Sequence, residues 1–142
     1  MRQDKSEAPI VSITFPIHKF QEYASEALNS ILSQTYKKLE IMFLDNSLNG
    51  LTGNFDLSDK RIKYFRLPTN FGLAETLNFA IDHANGKYLA RMDYDDIALP
   101  SRITEQVKFM ESNPNITISG TNIVVIGSAI DNNINPGQVV KR

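Results

Sequence analysis

Cysteine is absent from the 142-residue sequence. That absence excludes disulfide bridges, thiolate nucleophiles and zinc or iron–sulfur sites built on cysteine ligands. Long apolar runs are also lacking: none approaches the ~20 residues of a membrane-spanning helix, and the polar segment 1–8 has no signal-peptide core. The net charge is only −1, from 15 basic and 16 acidic residues, so no overall positive field favours nucleic acid. We expect a soluble protein that binds no nucleic acid and for which the cytoplasm is a fitting location.

The composition that remains is typical of one globular domain. Hydrophobic residues make up 42% of the chain and charged residues 22%. A domain near this size buries ~68% of the surface that its unfolded chain exposes. The tail is rich in asparagine, poor in apolar residues and carries a Pro136-Gly137 turn signal. We expect a flexible segment at 1–8, a folded domain at 9–127 and a loop or disordered tail at 128–142.

Strand patterns and helix patterns alternate along the folded domain. Short β-rich runs predict strands at 10–15, 39–44, 61–66, 86–92, 116–119 and 123–126, and apolar periodicity predicts helices at 21–34, 72–84 and 101–112. In the second helix, Leu73, Leu77, Ala80, Ile81 and Ala84 form the expected inward face, and Asn85-Gly86 predicts a left-handed stop. This alternation predicts an α/β fold with a mostly parallel sheet flanked by helices.

Three carboxylates crowd together directly after the predicted strand at 86–92. Asp93, Asp95 and Asp96 would raise one another's pKa unless a cation compensates, and hard oxygen ligands suit Mn²⁺ or Mg²⁺. An EF-hand is excluded, because Ala98 and Thr104 occupy the positions of its required glycine and glutamate. A solvated loop that caps the next helix and an Asp-x-Asp phosphatase site remain alternatives. The pattern favours a metal site.

Two other candidates follow earlier strands and would lie at the same edge of the sheet, where open α/β sheets bind ligands. Asp45 follows the second strand and is placed to accept hydrogen bonds from a base or a ribose. Its alternative role is an Asx turn with Asn46 and Ser47. Pro16 and His18 follow the first strand, and the His18 ring is available to stack on a base or to remain solvated.

A third candidate opens the second predicted helix. Gly72 lets the backbone approach a ligand, and the positive end of a helix favours a diphosphate. The alternative is a plain cap of the helix by Asn70.

Taken in order from residue 10 to about residue 126, these motifs resemble the nucleotide-sugar-binding half of a family 2 glycosyltransferase with the GT-A fold. The matching pieces are 11–16, 30–36, 44–47, 70–74, 77–78, 86–96 and 99–103. Each piece is a weak signal, and the ordered set is specific. The resemblance implies a Rossmann-like GT-A nucleotide-diphospho-sugar transferase fold, apparently truncated at its C-terminus.

The resemblance also implies roles for individual residues. Asp93-Tyr94-Asp95 takes the place of the DxD motif, with Asp95 coordinating Mn²⁺ or Mg²⁺ directly and Asp93 contacting the ribose or a metal-bound water. Asp45 would contact a uracil-like base. The rest of the implied nucleotide-sugar-binding set is Pro16, His18, Asn70, Gly72 and Asn78.

By the same resemblance, the chain is the donor-binding domain of a metal-dependent, inverting glycosyltransferase of polysaccharide biosynthesis. It would transfer a hexosyl or N-acetylhexosaminyl group from a nucleoside-diphosphate sugar, UDP being favoured, to a glycan acceptor. The general base and the acceptor-binding portion would lie beyond Arg142, so this chain alone is expected to be inactive. The full protein would lie in the cytoplasm, with peripheral association to the inner face of the membrane allowed. A non-catalytic nucleotide-sugar-binding module and an α/β phosphotransfer or hydrolase domain are the alternatives.

Overall fold

The computed structural model describes residues 9–126 and the backbone of Val139–Val140. The segment predicted as flexible, 1–8, and most of the predicted tail lie outside the described residues. The contacts divide the chain into two compact units, with the boundary between Pro100 and Ser101. Each unit is built from elements of the predicted kinds.

The first unit is a parallel α/β layer. Its elements are β1 (Val11–Ile17), α1 (Glu22–Leu32), β2 (Leu39–Asp45), a 3₁₀ turn (Thr52–Asn54), β3 (Ile62–Arg66), α2 (Leu73–His83) and β4 (Tyr88–Arg91). The sheet order is β3-β2-β1-β4, and every neighbouring pair is parallel. The predicted fold class, a mostly parallel sheet with helical connections, is therefore confirmed.

The two central strands carry the core of this unit. β1 and β2 are buried at every position, whereas β3 and β4 are buried only in part, as expected of strands with one neighbour. Ile13 pairs with Ile41 on one side and with Ala90 on the other. Because central parallel strands are covered on both faces, they need nearly continuous apolar runs. That requirement made β1 and β2 recognisable in the sequence.

The helix α1 buries part of the apolar stripe that its periodicity predicts. Ala27, Leu28 and Ile31 are buried, together with Ala24, whereas Tyr23, which the spacing places on the same stripe, is 47% exposed. The buried positions recur at helical spacing, so one face of the helix is withdrawn from water.

The inward face of α2 differs from the prediction. Thr76 and Ala80 are buried, while Leu73 and Ile81 are 49% and 59% exposed. The cause is Phe79, whose ring packs edge-on against Phe65 of β3 at 5.3 Å between centroids. This aromatic contact turns the helix so that the face containing residues 76, 79 and 80 meets the sheet, and the prediction for Leu73 and Ile81 is wrong.

The predicted left-handed stop after α2 is also wrong. The helix ends at His83, and its C-cap Ala84 is in extended backbone with φ −71° and ψ 136°. Among the described glycines a positive φ occurs at Gly50 alone. Gly86 is needed for a different reason. A Cβ there would lie 2.5 Å from the Ser12 amide nitrogen of β1, and the Gly86 amide donates to the Ser12 hydroxyl over 2.8 Å. Close approach of two backbones, not helix termination, selects glycine here.

The second unit contains α3 (Arg102–Ser112) and a two-stranded antiparallel ladder of β5 (Ile123–Val124) and β6 (Val139–Val140). In α3, Ile103 and Val107 are buried as predicted. The strand predicted at 116–119 does not form, because Ile116 and Ile118 are exposed and no described strand lies beside them. The predicted strand at 123–126 shortens to two residues, and Val139–Val140 is a strand in the segment predicted to be loop. In the part of the chain that the structure describes, no helix is long and apolar enough to cross a membrane.

Candidate functional site

The loops that follow β1, β2 and β4 all begin at the same edge of the sheet of the first unit. Adjacent parallel strands end at the same edge, and the register places Ile17 beside Asp45. The ring of His18, after β1, meets the ring of Tyr94, after β4, edge-on at 5.6 Å. The Asn46 amide nitrogen donates to the carbonyl oxygen of Phe71 over 2.8 Å, which joins the β2 loop to the segment that begins α2. Four chain segments therefore converge, as the topology argument predicts.

An open cleft of about 250 Å³ lies at this edge. It is lined by residues 18–20 of the β1 loop and residues 47–51 after β2. We call residues 46–51 the cleft loop. The chain turns within it at Gly50, whose φ of 76° is a left-handed conformation that side-chain-bearing residues adopt at a cost. The cleft loop contributes both polar residues, Ser47 and Asn49, and apolar ones, Leu48 and Leu51, to the lining of the cleft.

Asp45 is fully buried at the root of the cleft loop. Its Oδ1 accepts hydrogen bonds from the Ser47 amide at 2.9 Å and from Arg66 Nη1 at 3.2 Å. Its Oδ2 accepts from the Leu51 amide at 2.8 Å and from the Tyr64 hydroxyl at 2.7 Å. The Asx-turn alternative is therefore present in the structure. Contact of Asp45 with a base stays a prediction, and both oxygens already serve two protein donors each.

The protonation of the Asp45–Tyr64 pair follows from these contacts. Burial raises the pKa of Asp45, but hydrogen bonds from Ser47, Tyr64 and Leu51 outweigh it and hold the pKa below its ordinary 3.8. Burial, together with the hydrogen bond to Asp45 and the charge of that carboxylate, raises the pKa of Tyr64 to about 12. The carboxylate is therefore charged, and the phenol is a neutral donor, across the physiological pH range.

Arg66 also donates hydrogen bonds to backbone carbonyl oxygens of Asp45 and of the cleft loop. Its Nη1 donates to the Asp45 carbonyl oxygen at 3.1 Å, and its Nη2 donates to the carbonyl oxygens of Ser47 and, at 3.2 Å, Leu48. Neither Tyr64 nor Arg66 is among the site residues predicted from the sequence. They lie two positions apart in β3, so they share one face of the strand, and that period-two signal was available.

Residues 93–96 after β4, which we call the acidic segment, are less open to a metal than their composition predicts. Arg91 pairs with Asp93 through two hydrogen bonds, each 3.0 Å long, from Nε and Nη2. The compensating charge that three neighbouring carboxylates require is thus supplied in part from within the chain. Among the residues that the structure describes, no group of three or more His, Asp or Glu side chains is arranged to hold a metal ion.

Asp95 nevertheless fits a cation that arrives with a ligand. It is exposed, and within the described ranges its carboxylate has no hydrogen bond or ion pair. Mg²⁺ and ions like it are commonly held by one or two carboxylates, with substrate phosphate oxygens and water completing the shell. These carboxylates suit a cation that is also coordinated by a diphosphate, and not one coordinated by protein side chains alone.

Tyr94 lies between the two acids and was not predicted as a site residue. Its ring stacks on Tyr23 of α1 at 6.4 Å with the planes 12° apart, in addition to its contact with His18. Burial raises the pKa of Tyr94, and the neighbouring Tyr23 and Asp95 add to the shift. The three rings fix the acidic segment against the β1 loop.

Pro16 lies inside β1, paired in register with Leu44, and not in the loop after it as predicted. The Ile17 carbonyl bonds toward β2 and the Thr14 carbonyl toward β4, so alternate residues serve opposite neighbours. By this alternation the nitrogen of Pro16, which carries no hydrogen, faces β4 at a position beyond Arg91, the last residue of β4 that is paired with β1. A proline at this position interrupts no ladder.

The remaining predicted residues lie along the start of α2. Gly72 is the N-cap, with no side-chain cap, so capping by Asn70 is not what the structure shows. The Gly72 carbonyl accepts from both the amide and the hydroxyl of Thr76. Asn70 is exposed in the preceding turn, and Asn78 is exposed farther along α2, where no described hydrogen bond links it to the cleft.

Comparison with known proteins decides the family. The glycosyl transferase family 2 model matches residues 12–135. The chain belongs to glycosyl transferase family 2. A Haemophilus influenzae uncharacterized glycosyltransferase is 37% identical over 122 residues, which cover 83% of this chain and 38% of that protein. The putative glycosyltransferase EpsE of Bacillus subtilis is 34% identical over 124 residues, or 82% of this chain and 44% of that protein. The chain thus spans less than half the length of these relatives.

Solved glycosyltransferase structures share the fold. The crystal structure of S. aureus TarS with UDP-GlcNAc superposes with a TM-score of 0.65 at 22% identity, over 74% of this chain and 32% of that one. The mannosyltransferase PcManGT of Pyrobaculum calidifontis, in complex with GDP-Man and Mn²⁺, gives 0.62 at 24% identity, over 75% and 34%. The GT-A prediction is confirmed, and the phosphotransfer or hydrolase alternative is set aside.

Proposed function

We propose that this chain is the donor-binding part of a glycosyltransferase and binds a nucleoside-diphosphate sugar where the loops after β1, β2 and β4 converge. The observation that carries the proposal is the contact of His18 with Tyr94, because it places the acidic segment beside the cleft. Ligands of open α/β sheets lie at this edge. Two neighbours of the same fold contain UDP-GlcNAc and GDP-Man.

Different segments of the chain would bind different parts of the nucleoside-diphosphate sugar. The cleft between His18 and the cleft loop receives the base, for which the His18 ring is a stacking surface. The N-terminus of α2 at Gly72 offers a positive dipole end to the diphosphate, and Asn46 ties that segment to the cleft loop. Asp93, held by Arg91, serves the ribose. This division keeps the predicted set of Pro16, His18, Asp45, Asn70, Gly72, Asn78, Asp93 and Asp95 as nucleotide-sugar ligands, with Pro16 shaping the pocket from within β1.

Asp95, with Asp93 beside it, would hold Mn²⁺ or Mg²⁺. When bound, the cation stabilises the negative charge that develops on the departing diphosphate. The protein's part is to fix the acidic segment through Tyr94 and to present the exposed carboxylate of Asp95, which has no ion-pair partner among the described residues, to the ion. UDP-sugars are the favoured donors, and hexosyl or N-acetylhexosaminyl groups the transferred class.

The rest of the proposal concerns the whole protein. It would transfer the sugar with inversion to a glycan acceptor in polysaccharide synthesis, in the cytoplasm or at the inner face of the membrane. An inverting reaction needs a carboxylate base to take the acceptor proton, and we assign no catalytic residue to it among the described residues.

The test is calorimetric titration of the chain with UDP and GDP, with and without Mn²⁺. We expect metal-dependent binding, and we expect Asp95→Ala to weaken it by about tenfold or more, the usual effect of losing a charged contact. Asp82→Ala, at an exposed acid of α2, is the matched control and should bind like the native chain. If neither nucleotide binds in any condition, the donor-binding role is wrong. If binding ignores the metal, the role of Asp95 is wrong.

A further inference from the structure

The cleft loop is held by a small cluster of side chains behind it, which we call the loop brace: Asp45, Tyr64 and Arg66. We infer that Tyr64 and Arg66 of β3 are positioning residues for nucleotide binding, because they act through Asp45 and two loop carbonyls to hold the cleft loop in its binding conformation. This inference rests on the proposed function of the cleft. It gives β3 a role in recognition although none of its residues lines the cleft.

The first step is the attachment of the cleft loop to one carboxylate. The Ser47 amide bonds to Oδ1 of Asp45 and the Leu51 amide to Oδ2. These two amides stand near the two ends of the loop. A single buried group therefore sets both the start of the turn and the point where the chain leaves it.

The second step is the orientation of that carboxylate. Tyr64 donates to Oδ2, and Arg66 donates to Oδ1, so each oxygen has one donor from β3. The ring of Tyr64 is itself fixed by packing against Phe43 of β2, 5.9 Å between centroids. Since Asp45 is charged and each oxygen already accepts two hydrogen bonds, its rotation is restricted in both directions.

The third step is that the middle of the cleft loop, residues 48–50, has few other restraints among the described residues, whereas Asn46 is bonded to Ile17 and Phe71. Leu48 is 83% exposed, Asn49 is also exposed, and of the loop's large side chains only Leu51 is buried. Arg66 supplies what burial does not, through the carbonyls of Ser47 and Leu48. Loops with little apolar burial sample open conformations unless polar contacts hold them.

The consequence is preorganisation of the cleft. A loop already fixed in its binding conformation loses less entropy when a ligand arrives, so affinity rises without any added contact to the ligand. Removing a brace residue should therefore lower nucleotide affinity while leaving the metal contribution, which comes from the acidic segment, unchanged.

The experiment combines amide hydrogen exchange with UDP titration on the full chain. Tyr64→Phe removes one hydrogen bond and keeps the ring. Arg66→Lys keeps the charge but cannot reach all the oxygens, and Arg66→Ala removes everything beyond Cβ. Lys63→Ala is the matched control: it breaks an ion pair of the same strand, to Glu40, that does not touch the cleft loop.

We expect exchange at the Ser47 and Leu51 amides to rise by about tenfold in Tyr64→Phe and more in Arg66→Ala, with Arg66→Lys between Arg66→Ala and the native chain. Exchange at the Ile13 and Phe43 amides of the central strands should not change. UDP affinity should fall in the same order, with the ratio of affinities with and without Mn²⁺ constant. A defect of overall stability would instead speed exchange in the central strands too.

Two results would overturn the inference. One is faster exchange of the cleft loop with unaltered UDP affinity in Tyr64→Phe and Arg66→Lys. The other is weaker binding with no change in loop exchange. Because the exchange measurement needs no nucleotide, a native chain that binds no UDP would refute the proposed function and still show whether the brace holds the loop.

Discussion

At the scale of single residues, the most consequential side chain is Asp45. It is a buried charged group, and hydrogen bonds from Ser47, Leu51, Tyr64 and Arg66 make its burial tolerable. The position of Asp45 was predictable, because an acid after an apolar strand marks the edge of a sheet. The spacing of Tyr64 and Arg66 predicts that they share one face of β3, but that this face meets Asp45 was not predictable. It depends on the register between β2 and β3, which places Asp45 beside Arg66.

The lowered pKa of Asp45 predicts how stability depends on pH. A group whose pKa is lower in the folded state stabilises the fold above its unfolded pKa, and this contribution is lost as the pH falls through the folded value. The native chain should therefore lose stability progressively below about pH 4, where unfolded aspartates take up protons.

Asp45→Asn should remove part of that dependence. The substitution keeps the shape of the side chain but places an amide N–H₂ against two hydrogen-bond donors. We therefore expect the free energy of unfolding to fall by about 2 kcal/mol at neutral pH and to depend less steeply on pH in acid. Urea unfolding at a series of pH values measures both quantities. Asp82→Asn, on the exposed face of α2, should retain the native slope. An Asp45→Asn slope equal to the native one would show that the carboxylate does not carry the effect.

At the scale of elements, the strands and helices of the first unit were predictable because their apolar spacing reflects burial. The failures have local causes that spacing does not contain. Phe79 decides which face of α2 meets the sheet, through its contact with Phe65. The β-rich residues at 116–119 form no strand, because strand formation needs a neighbouring strand and none is beside them in the described part of the chain.

Gly86 offers a test at this scale. In Gly86→Ala the new methyl would lie 2.5 Å from a β1 backbone nitrogen and 2.9 Å from the Ile10 carbonyl oxygen, so β4 or β1 must shift. We expect the free energy of unfolding to fall by about 1–3 kcal/mol, which is typical of overpacking. Gly53→Ala is the control, since nothing lies within 4 Å of its added methyl and its φ is not positive. Thermal unfolding of both variants checks the expectation, and equal melting temperatures would contradict it.

At the scale of the whole molecule, the parallel topology and the family were both within reach of the sequence. Alternating strand and helix patterns predict a parallel sheet, and the loops at the carboxyl ends of parallel strands lie at one edge of that sheet. The candidate residues of those loops could therefore be assigned to one site before any contact was known. The contacts themselves, His18 with Tyr94 and Arg91 with Asp93, depend on side-chain conformations that no spacing rule contains.

The place of β1 in the sheet has a kinetic consequence. Val11 pairs with Leu39 on one side and with Tyr88 on the other, so the second pairing closes a loop more than twice as long as the first. Longer closures cost more chain entropy and slow the steps that need them. In β2 the Asn46 amide bonds to Ile17 and the Ile41 amide to Arg61, so by alternation the Met42 amide faces β1. In pulse-labelled refolding we expect Met42 of β2 to gain amide protection before Ala90 of β4, and the reverse order would contradict this. The acidic segment is then placed by the last strand to join the sheet.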